Sequence, residues 1–454
     1  MRDDAVQLGV QFARQIQAAT EALMLGGMPQ SLSEMEARVR KMLLEIGRFQ
    51  LSAWLALLDG SYPAPQIKCR CGGESEYQYK REGVLHTSIG TINYKRAYYV
   101  CPHCHQGTYP LDEQLGLRAG EMSAELESLA GMMGAQLPFE KGSDLFAQLT
   151  LVGISPQSMD KATQAMGREM QALEAEWLRS SQAPATVQAA LREPESERLY
   201  GAIDAVKVHT DEQRHPEDNG WRDLKVNAWF HTDAKPPVAP DDDWAIAARD
   251  ITYHCDIADA QTFGDLLWAT GLHRHALRAK ELIFLGDGAD WIWNLVTEHF
   301  PHAVQIVDWF HAAEHLAQVA QAAFPADGTE HGPGQTWLKA MRNALWQGEV
   351  ETVVAACTQL ASQRQGGEVA RKAAAYFHAH RQRMRYADFR GRGFQIGSGT
   401  IESACKQFGD QRLKVPGATW SLNGARLTAK ARAAWLSNLW DVLALRRHHL
   451  QPCT

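Results

Sequence analysis

Five short apolar runs between residues 199 and 307 restrict this chain more than any other feature. Leu199–Val208, Lys225–His231 and Ile251–Ile257 read as three strands, joined by polar turns that include Pro236, Pro237, Pro240 and Asp241–Asp243. A helix is expected over roughly 261–280. Leu282–Leu285 and Val304–Val307 then flank a helical stretch near 290–299 and make a βαβ unit. The pattern is helical on both sides of this sheet-forming middle. It covers 4–24, 32–58 and 122–177 ahead of it, and 311–323, 336–385 (interrupted near Gly366-Gly367), 400–413 and 424–449 behind it. Residues 325–335 interrupt the helices, and Ser180–Arg198, with two prolines and a run of acids, reads as a linker.

At 454 residues, about three domains of roughly 150 residues each are expected. The start, Met1-Arg-Asp-Asp, has no apolar leader, and no run approaches the ~18 apolar residues of a membrane span, so a cytosolic chain without membrane contact is expected. A net charge of −7 argues against a uniformly basic nucleic-acid coat protein. The charge is graded, however. From Ala361 onward 16 Lys and Arg face 5 Asp and Glu, a net of +11, so the C-terminal fifth is expected to carry the positive face.

Eight cysteines are too few for a disulfide scaffold, yet four stand in two tight pairs, Cys69-x-Cys71 and Cys101-x-x-Cys104, beside strand-like sequence. Four thiolates at such spacing suit one tetrahedral zinc, with His103 and His105 as possible substitute ligands. Ahead of them, Ser31 and Glu34 form a capping-box pattern. The stripe Leu32, Met35, Val39, Met42, Leu43, Ile46 that follows reads as core or as a face for self-association. Behind them, Phe139–Leu149, a glycine turn, and a helix opened by Ser155-Pro156 give the outline of either a helix-turn-helix or a plain helical hairpin. Gln157, Ser158, Lys161, Gln164 and Arg168 are available on its second helix to face DNA.

The chemistry rests on acids at strand ends. Asp204 lies in Leu199-Tyr-Gly-Ala-Ile-Asp-Ala-Val, where a charge is costly unless paired or bound to metal. Asp287 follows a strand in Phe284-Leu-Gly-Asp-Gly, and Asp308 ends Val304-Gln-Ile-Val-Asp; ligands of open α/β sheets gather at such positions. Glu402 opens a helix after a glycine-rich turn, in Gly397-Ser-Gly-Thr-Ile-Glu402, four residues before Lys406. Two aspartates and a glutamate are what a two-metal phosphoryl-transfer centre needs. From the residues alone, Asp287 and Asp308 compete for the second position. The run Arg381, Arg383, Arg385, Arg390, Arg392 leads into the glycine-rich turn as a solvated basic face or a phosphate contact.

The order Asp204, Asp287, Asp308-Trp-Phe-His311, Gly397-Ser-Gly-Thr-Ile-Glu402 resembles the DDE transposases of bacterial insertion sequences in the Mutator-like superfamily. The ISKra-type family is the nearest match, with its cysteine-paired region ahead of the core and sequence like Gln411-Arg-Leu-Lys414 and Trp420-Ser421 after the glutamate. The chain departs from that family at Ala205, where a glycine usually follows the first aspartate, and at Thr419, where a basic residue is expected. The resemblance implies a multidomain α+β protein. An N-terminal helical region (1–66), a zinc-binding ribbon (67–112) and a helix-turn-helix-like region (113–180) would precede an RNase H-like α/β catalytic core (199–310 and 395–415), with an all-helical insertion (311–394) and a C-terminal helix (416–454).

It further implies Mg²⁺- (or Mn²⁺-) dependent cleavage and strand transfer at the ends of an insertion sequence. Asp204, Asp287 and Glu402 would be the metal-binding catalytic triad, Asp308 and His311 accessory residues, and one structural Zn²⁺ would sit on Cys69, Cys71, Cys101 and Cys104. DNA contacts would fall on Lys161, Arg168, Arg381, Arg383, Arg385, Lys406, Arg412 and Lys414. The partners would be double-stranded DNA (terminal inverted repeats and target) and further copies of the chain in a homodimer or higher oligomer, in the cytoplasm on the nucleoid. A domesticated, catalytically silent zinc-containing DNA-binding protein is the alternative. A dehalogenase-like phosphatase would want a second acid two residues after Asp204, where Val206 stands.

Overall fold

The computed structural model describes residues 2–25, 27–58, 64–118, 120–192, 196–213, 217–236, 244–325, 332–363 and 365–449. The expected turn residues Pro237, Pro240 and Asp241–Asp243, part of the linker (193–195) and part of the helix interruption (326–331) lie outside the described residues. The chain is a mixed α+β protein with two sheets, and it gathers into two compact units, 1–169 with 440–454, and 170–439.

The first unit opens with a helical hairpin, α1 (Arg2–Leu25) and α2 (Leu32–Leu58). The expected cap forms on one side: Glu34 N–H donates to Ser31 Oγ at 3.2 Å, while the Glu34 carboxylate accepts from Gln30 N–H at 2.8 Å, one residue ahead of the N-cap. The apolar stripe is not core in this chain. Leu32, Met35, Val39 and Leu43 are 70%, 42%, 44% and 57% exposed, and only Ile46 of the six is buried. A four-stranded antiparallel sheet follows, β1 (Gln66–Lys68), β2 (Glu74–Thr87), β3 (Gly90–Val100) and β4 (Gly107–Thr108), in that order. Leu85, Ile92 and Tyr94 of the long hairpin pack against Leu55 of α2 and Leu111 of α3 (Pro110–Leu115). Three helices complete the sequence-contiguous part: α4 (Ala124–Gln136), α5 (Phe139–Thr150) and α6 (Pro156–Ser181), joined around Leu126, Phe146, Val152 and Met159. Ser155 Oγ accepts from Ser158 N–H at 3.0 Å, capping α6, which passes into the second unit at Met170.

In the second unit, α7 (Pro184–Ala190) occupies part of the segment read as a linker, so that stretch is not a plain spacer. The strands are β5 (Ser196–His209), β6 (Trp221–Lys235), β7 (Ala245–Asp256), β8 (Ala279–Gly286) and β9 (Val304–Val307), with α8 (Ala260–His273) before β8 and α9 (Asp290–His299) before β9. Their order in the sheet is β7-β6-β5-β8-β9. The first three run as an antiparallel meander, and β5, β8 and β9 are parallel. A parallel neighbour needs a long crossover, which α8 and α9 supply. The core holds Trp229, Phe284 and Phe300 edge to face, with the Trp229 indole N–H on Thr270 Oγ1 at 3.0 Å.

Helices α10 (Trp309–Ala323), α11 (Pro333–Trp346), α12 (Val350–Ala361), α13 (Gly367–His380) and α14 (Tyr386–Gly391) follow β9. Tyr386 ties them to the sheet by donating to the Val307 carbonyl at 2.9 Å. Next come α15 (Gly399–Phe408), a π-turn (Gly409–Leu413) and α16 (Leu422–Leu436). The single long helix expected to the C-terminus breaks instead at Asn438, whose φ of 56° is left-handed. Beyond the break, α17 (Trp440–His449) belongs to the first unit, where Arg447 pairs with Glu127 at 2.7 Å.

The C-terminal positive charge is not all surface charge. Arg412, Lys430 and Arg432 are 1%, 1% and 3% exposed. Lys430 Nζ donates to Glu174 Oε2 at 2.6 Å and to the Cys255 carbonyl at 2.9 Å, and lies 3.0 Å from Asp256, while His254 Nδ1 meets the other Glu174 oxygen at 3.0 Å. Burial pushes the Glu174 carboxyl up, but Lys430 and His254 outweigh it and hold it below its ordinary value. Removing one member leaves an uncompensated buried charge. Lys430→Ala is therefore expected to cost about 3–5 kcal/mol, read as a lowered urea midpoint with unchanged slope; an unshifted midpoint would show the network contributes nothing.

Candidate functional site

The acids expected at strand ends are gathered by the register of the parallel strands. Ala202 of β5 pairs with Leu285 of β8, and Gly286 of β8 with Val307 of β9. Carried on by two residues, the first register sets Asp204 level with Asp287; carried on by one, the second sets Asp287 level with Asp308. Asp287 and Asp308 directly follow β8 and β9 as expected, whereas Asp204 is not at a strand end but inside β5, five residues before it stops, at the level where its two parallel neighbours end.

Their surroundings differ. Asp204 Oδ1 accepts from the Ala205 N–H at 2.7 Å, and the Cys405 thiol lies near enough for its interaction to lower the carboxylate's pKa. Burial raises its pKa; both interactions oppose the rise and the charge of Asp287 adds to it. Asp287 is half-buried and gives Oδ1 to the Ala289 N–H at 2.9 Å. Asp308 is fully buried and occupied on both oxygens. Oδ1 caps α10 by accepting from His311 N–H at 2.7 Å and lies 3.3 Å from His311 Nδ1, while Oδ2 accepts from the Ser398 N–H. Burial pushes the Asp308 carboxyl up, but the bonds from His311 and Ser398 pull it below its ordinary value.

Glu402 is delivered by the first turn of α15. Trp309 N–H donates to the Ile396 carbonyl at 3.0 Å, fixing the incoming loop, and Ser398 Oγ donates to Glu402 Oε1 at 2.9 Å. Ligand atoms of Asp308, His311 and Glu402 lie within 4.8 Å of one another. The His311 imidazole is raised to about 9, first by its bond to Asp308, with Asp287 and Asp204 contributing at longer range. Asp204 and Asp287 lie outside that close group and reach it only through charge acting on His311 and on each other, so the site is a tight Asp308–His311–Glu402 cluster with two further acids around it. It is crowded with oxygen donors whose mutual repulsion a divalent cation would relieve, and that donor chemistry fits Mg²⁺ or Mn²⁺. Ser398 and Cys405 were not singled out as site residues. Cys405 stands three residues after Glu402, one helical turn on, which was its only signal.

The cysteines also meet. Cys69 and Cys104 sulfurs are 3.6 Å apart, and Cys71 and Cys101 sulfurs 3.7 Å. Tetrahedral zinc with Zn–S near 2.3 Å sets its sulfurs about 3.8 Å apart, so these four fit it. The Cys71 amide leads the bonds that lower Cys69 to about 6. Cys104 is pulled down by the Gln106 amide, yet burial and the neighbouring thiols push it to about 12. His103 and His105 are exposed and outside this group.

The basic residues divide. Lys161 and Arg168 are exposed on α6 with Gln157, seven residues apart on the face opposite buried Ala162, Thr163 and Met166. Gln164 bonds Asp160. Arg381, Arg385 and Lys406 are exposed, and Lys414 lies 3.9 Å from Asp410. Arg383 instead bonds Gln305 and His380, and Arg390 lies over the Trp346 ring at 3.7 Å. Arg392 pairs with Glu281 at 3.0 Å. Arg412 is withdrawn as a DNA contact, because it is 1% exposed with its guanidinium 5.0 Å from the Trp420 ring centre.

No family model and no curated protein matches the chain. Among solved structures it is similar to the Drosophila P element transposase strand transfer complex, at 11% identity over 74% of this chain and 83% of that chain, with a TM-score of 0.23. At that score the likeness carries no argument about fold or activity. Among the described residues no helix is long and apolar enough to cross a membrane.

The thiol geometry generates a direct expectation. Protein purified without chelator should hold about one zinc per chain, and Cys71→Ser should lose it together with amide protection across 66–108, because binding energy at such small sites is folding energy. Metal analysis returning no stoichiometric zinc would remove the assignment.

Proposed function

We propose that this chain is a DDE-type DNA transposase of the ISKra-type family, which cleaves DNA at the ends of an insertion sequence and joins the freed ends to target DNA. The observation that carries the reading is that Asp204, inside β5, lies level with Asp287 and Asp308, which directly follow parallel β8 and β9, with Glu402 brought beside Asp308 by α15 after five helices. A meander β5-β6-β7 extended by parallel β8 and β9 also supports an RNase H-like core, with α10 to α14 as its helical insertion.

In this reading Asp204, Asp287 and Glu402 would hold Mg²⁺ or Mn²⁺, which when bound stabilises charge on the attacking and leaving oxygens. Asp308 serves as a positioning residue. Both its oxygens are engaged by backbone N–H groups, so it holds the start of α10 against the loop that delivers Glu402. His311, positively charged beside the acids, balances them until substrate arrives. Water opens the phosphodiester at the element end, leaving a 3′-hydroxyl. That hydroxyl then attacks a target phosphodiester and displaces its 3′ oxygen, with no covalent bond to the protein. Lys161, Arg168, Arg381, Arg385, Lys406 and Lys414 are the remaining candidates for holding the DNA backbone, in the cytoplasm on the nucleoid.

The test is cleavage of DNA carrying the flanking ends of the gene. Asp204→Asn, Asp287→Asn and Glu402→Gln should fall to background while DNA affinity stays within about twofold, since ligands and backbone contacts are separate groups. Asp308→Asn, which keeps one acceptor oxygen, should be slowed but active. Wild-type cleavage by Asp287→Asn would overturn the triad, and an inactive Asp308→Asn beside an active Asp287→Asn would move the second ligand to Asp308.

The working form we propose is a homodimer or higher oligomer, supported by the stripe on α2. Leu32, Met35, Val39 and Leu43 recur at three- and four-residue spacing, and Trp54 (55% exposed) and Leu57 (47%) follow further along α2. Val6, Val10, Ile16 and Met24 of α1 are exposed as well, so both helices of the hairpin carry uncovered apolar side chains. Two such hairpins would close a four-helix bundle. Sedimentation should find an oligomer that becomes monomeric when Leu32, Val39 and Leu43 are all changed to Glu; a monomeric wild-type chain at micromolar concentration would remove this interface.

A further inference from the structure

One side chain of the helices between β9 and α15 holds the backbone that carries Asp287, and a second packs behind it. The Tyr376 hydroxyl donates to the Asp287 carbonyl oxygen at 3.1 Å, and the His380 ring follows four residues on along α13. The two rings meet edge to face at 4.9 Å, and the His315 ring of α10 lies 4.1 Å from that of Tyr376.

The far side of His380 is fixed as well. Arg383 Nη1 approaches His380 Nδ1 at 3.1 Å, its Nε donates to Gln305 Oε1 at 2.7 Å, and its guanidinium lies 4.9 Å from the Trp293 ring centre. A guanidinium has only donors, so Nδ1 must accept, which leaves the proton on Nε2. Arg383 therefore fixes the tautomer of the ring that backs Tyr376. That is a different task from the phosphate contact the sequence suggested.

The turn requires such a hold. Gly288 has φ +99°, and a Cβ there would lie 2.6 Å from the Tyr376 hydroxyl, so the close approach is built into the glycine. Glycines on both sides of Asp287 leave its backbone free to swing, and Asp204, whose charge interacts with it, repels it. A carboxylate on a pliable turn, facing a like charge, retreats unless its backbone is held.

We propose that Tyr376 and His380 are positioning residues for Asp287, bracing its turn so that its carboxylate stands beside Asp204 before any metal binds. The inference rests on the proposed catalytic reading and deepens it by giving the inserted helices a task at the metal site.

The experiment uses the full chain and three variants, Tyr376→Phe, Gly288→Ala and Asp287→Asn. Mn²⁺ binding is followed by the paramagnetic resonance of free Mn²⁺, and amide exchange across 286–290 is measured without metal. Losing one hydroxyl should weaken Mn²⁺ binding about fivefold, the scale of one hydrogen bond, and speed exchange at 287–290. The Mg²⁺ needed for half-maximal cleavage should rise to match, with the saturated rate within about twofold and the urea midpoint unchanged. Gly288→Ala should weaken Mn²⁺ binding further by pushing Tyr376 away. A merely structural tyrosine would lower the midpoint without moving the metal requirement, and that result overturns the proposal. Asp287→Asn separates the two levels. If it loses Mn²⁺ while Tyr376→Phe binds and exchanges as wild type, the brace fails and the catalytic reading stands. If Asp287→Asn binds Mn²⁺ and cleaves as wild type, both fall.

Discussion

A carboxylate with no exposure to water is stable only when its lone pairs are filled, and Asp308 fills them from two directions at once. The His311 amide and ring come from the first turn of α10, immediately after β9, and the Ser398 amide from a loop ninety residues later in the chain. One side chain therefore closes the ring of helices that begins at β9 and returns as α15. Ser398 passes the constraint to Glu402 through its hydroxyl. Because the bonds depress the carboxyl's pKa against burial, the stabilisation is complete above the ordinary carboxylate range and is lost as pH falls through the depressed value.

The same feature separates two aspartates that sequence position cannot rank. Both follow parallel strands and sit at one level of the sheet. Asp308 is turned toward backbone donors, whereas Asp287 stands on a glycine-flanked turn with one oxygen given to the Ala289 amide. A residue that holds the frame and a residue that presents charge need opposite surroundings. Asp308 has the dry, saturated one. Asp287 has a half-buried one held through its main chain by Tyr376.

Much of this was legible beforehand, for reasons that can be named. Period-two runs and the βαβ spacing placed β5, β8 and β9 within a few residues of where they lie, and glycines beside Asp287 and before Glu402 marked where backbone comes close to chemistry. The cysteine pairs were readable because ligand spacing is local. What escaped depends on contacts distant in sequence. Arg412, Lys430 and Arg432 look like surface charge until Trp420, Glu174 and the sheet are seen to cover them. The stripe on α2 has core periodicity but no core against it in this chain. The break at Asn438 rests on one left-handed residue in an otherwise helical pattern. Tyr376 and His380 give no sign of their task, since the turn they brace lies ninety residues away.

The long hairpin of the first unit is fastened at both extremities. A two-residue turn joins Thr87 to Gly90 at one end, and the four sulfurs gather the segments flanking β2 and β3 at the other. An antiparallel ribbon pinned at a single end can slide by one residue, which would turn Leu85, Ile92 and Tyr94 out to water. With both ends fixed, the number of residues between the fastenings is set on each strand, and any mismatch must be absorbed inside the ladder. The irregularity between Tyr77 and Tyr79 is where that happens: one surplus residue is taken up close to the sulfurs, and the apolar half of the ribbon keeps its phase. The cysteine cluster thus acts on residues well beyond its own reach, as a stop against slippage.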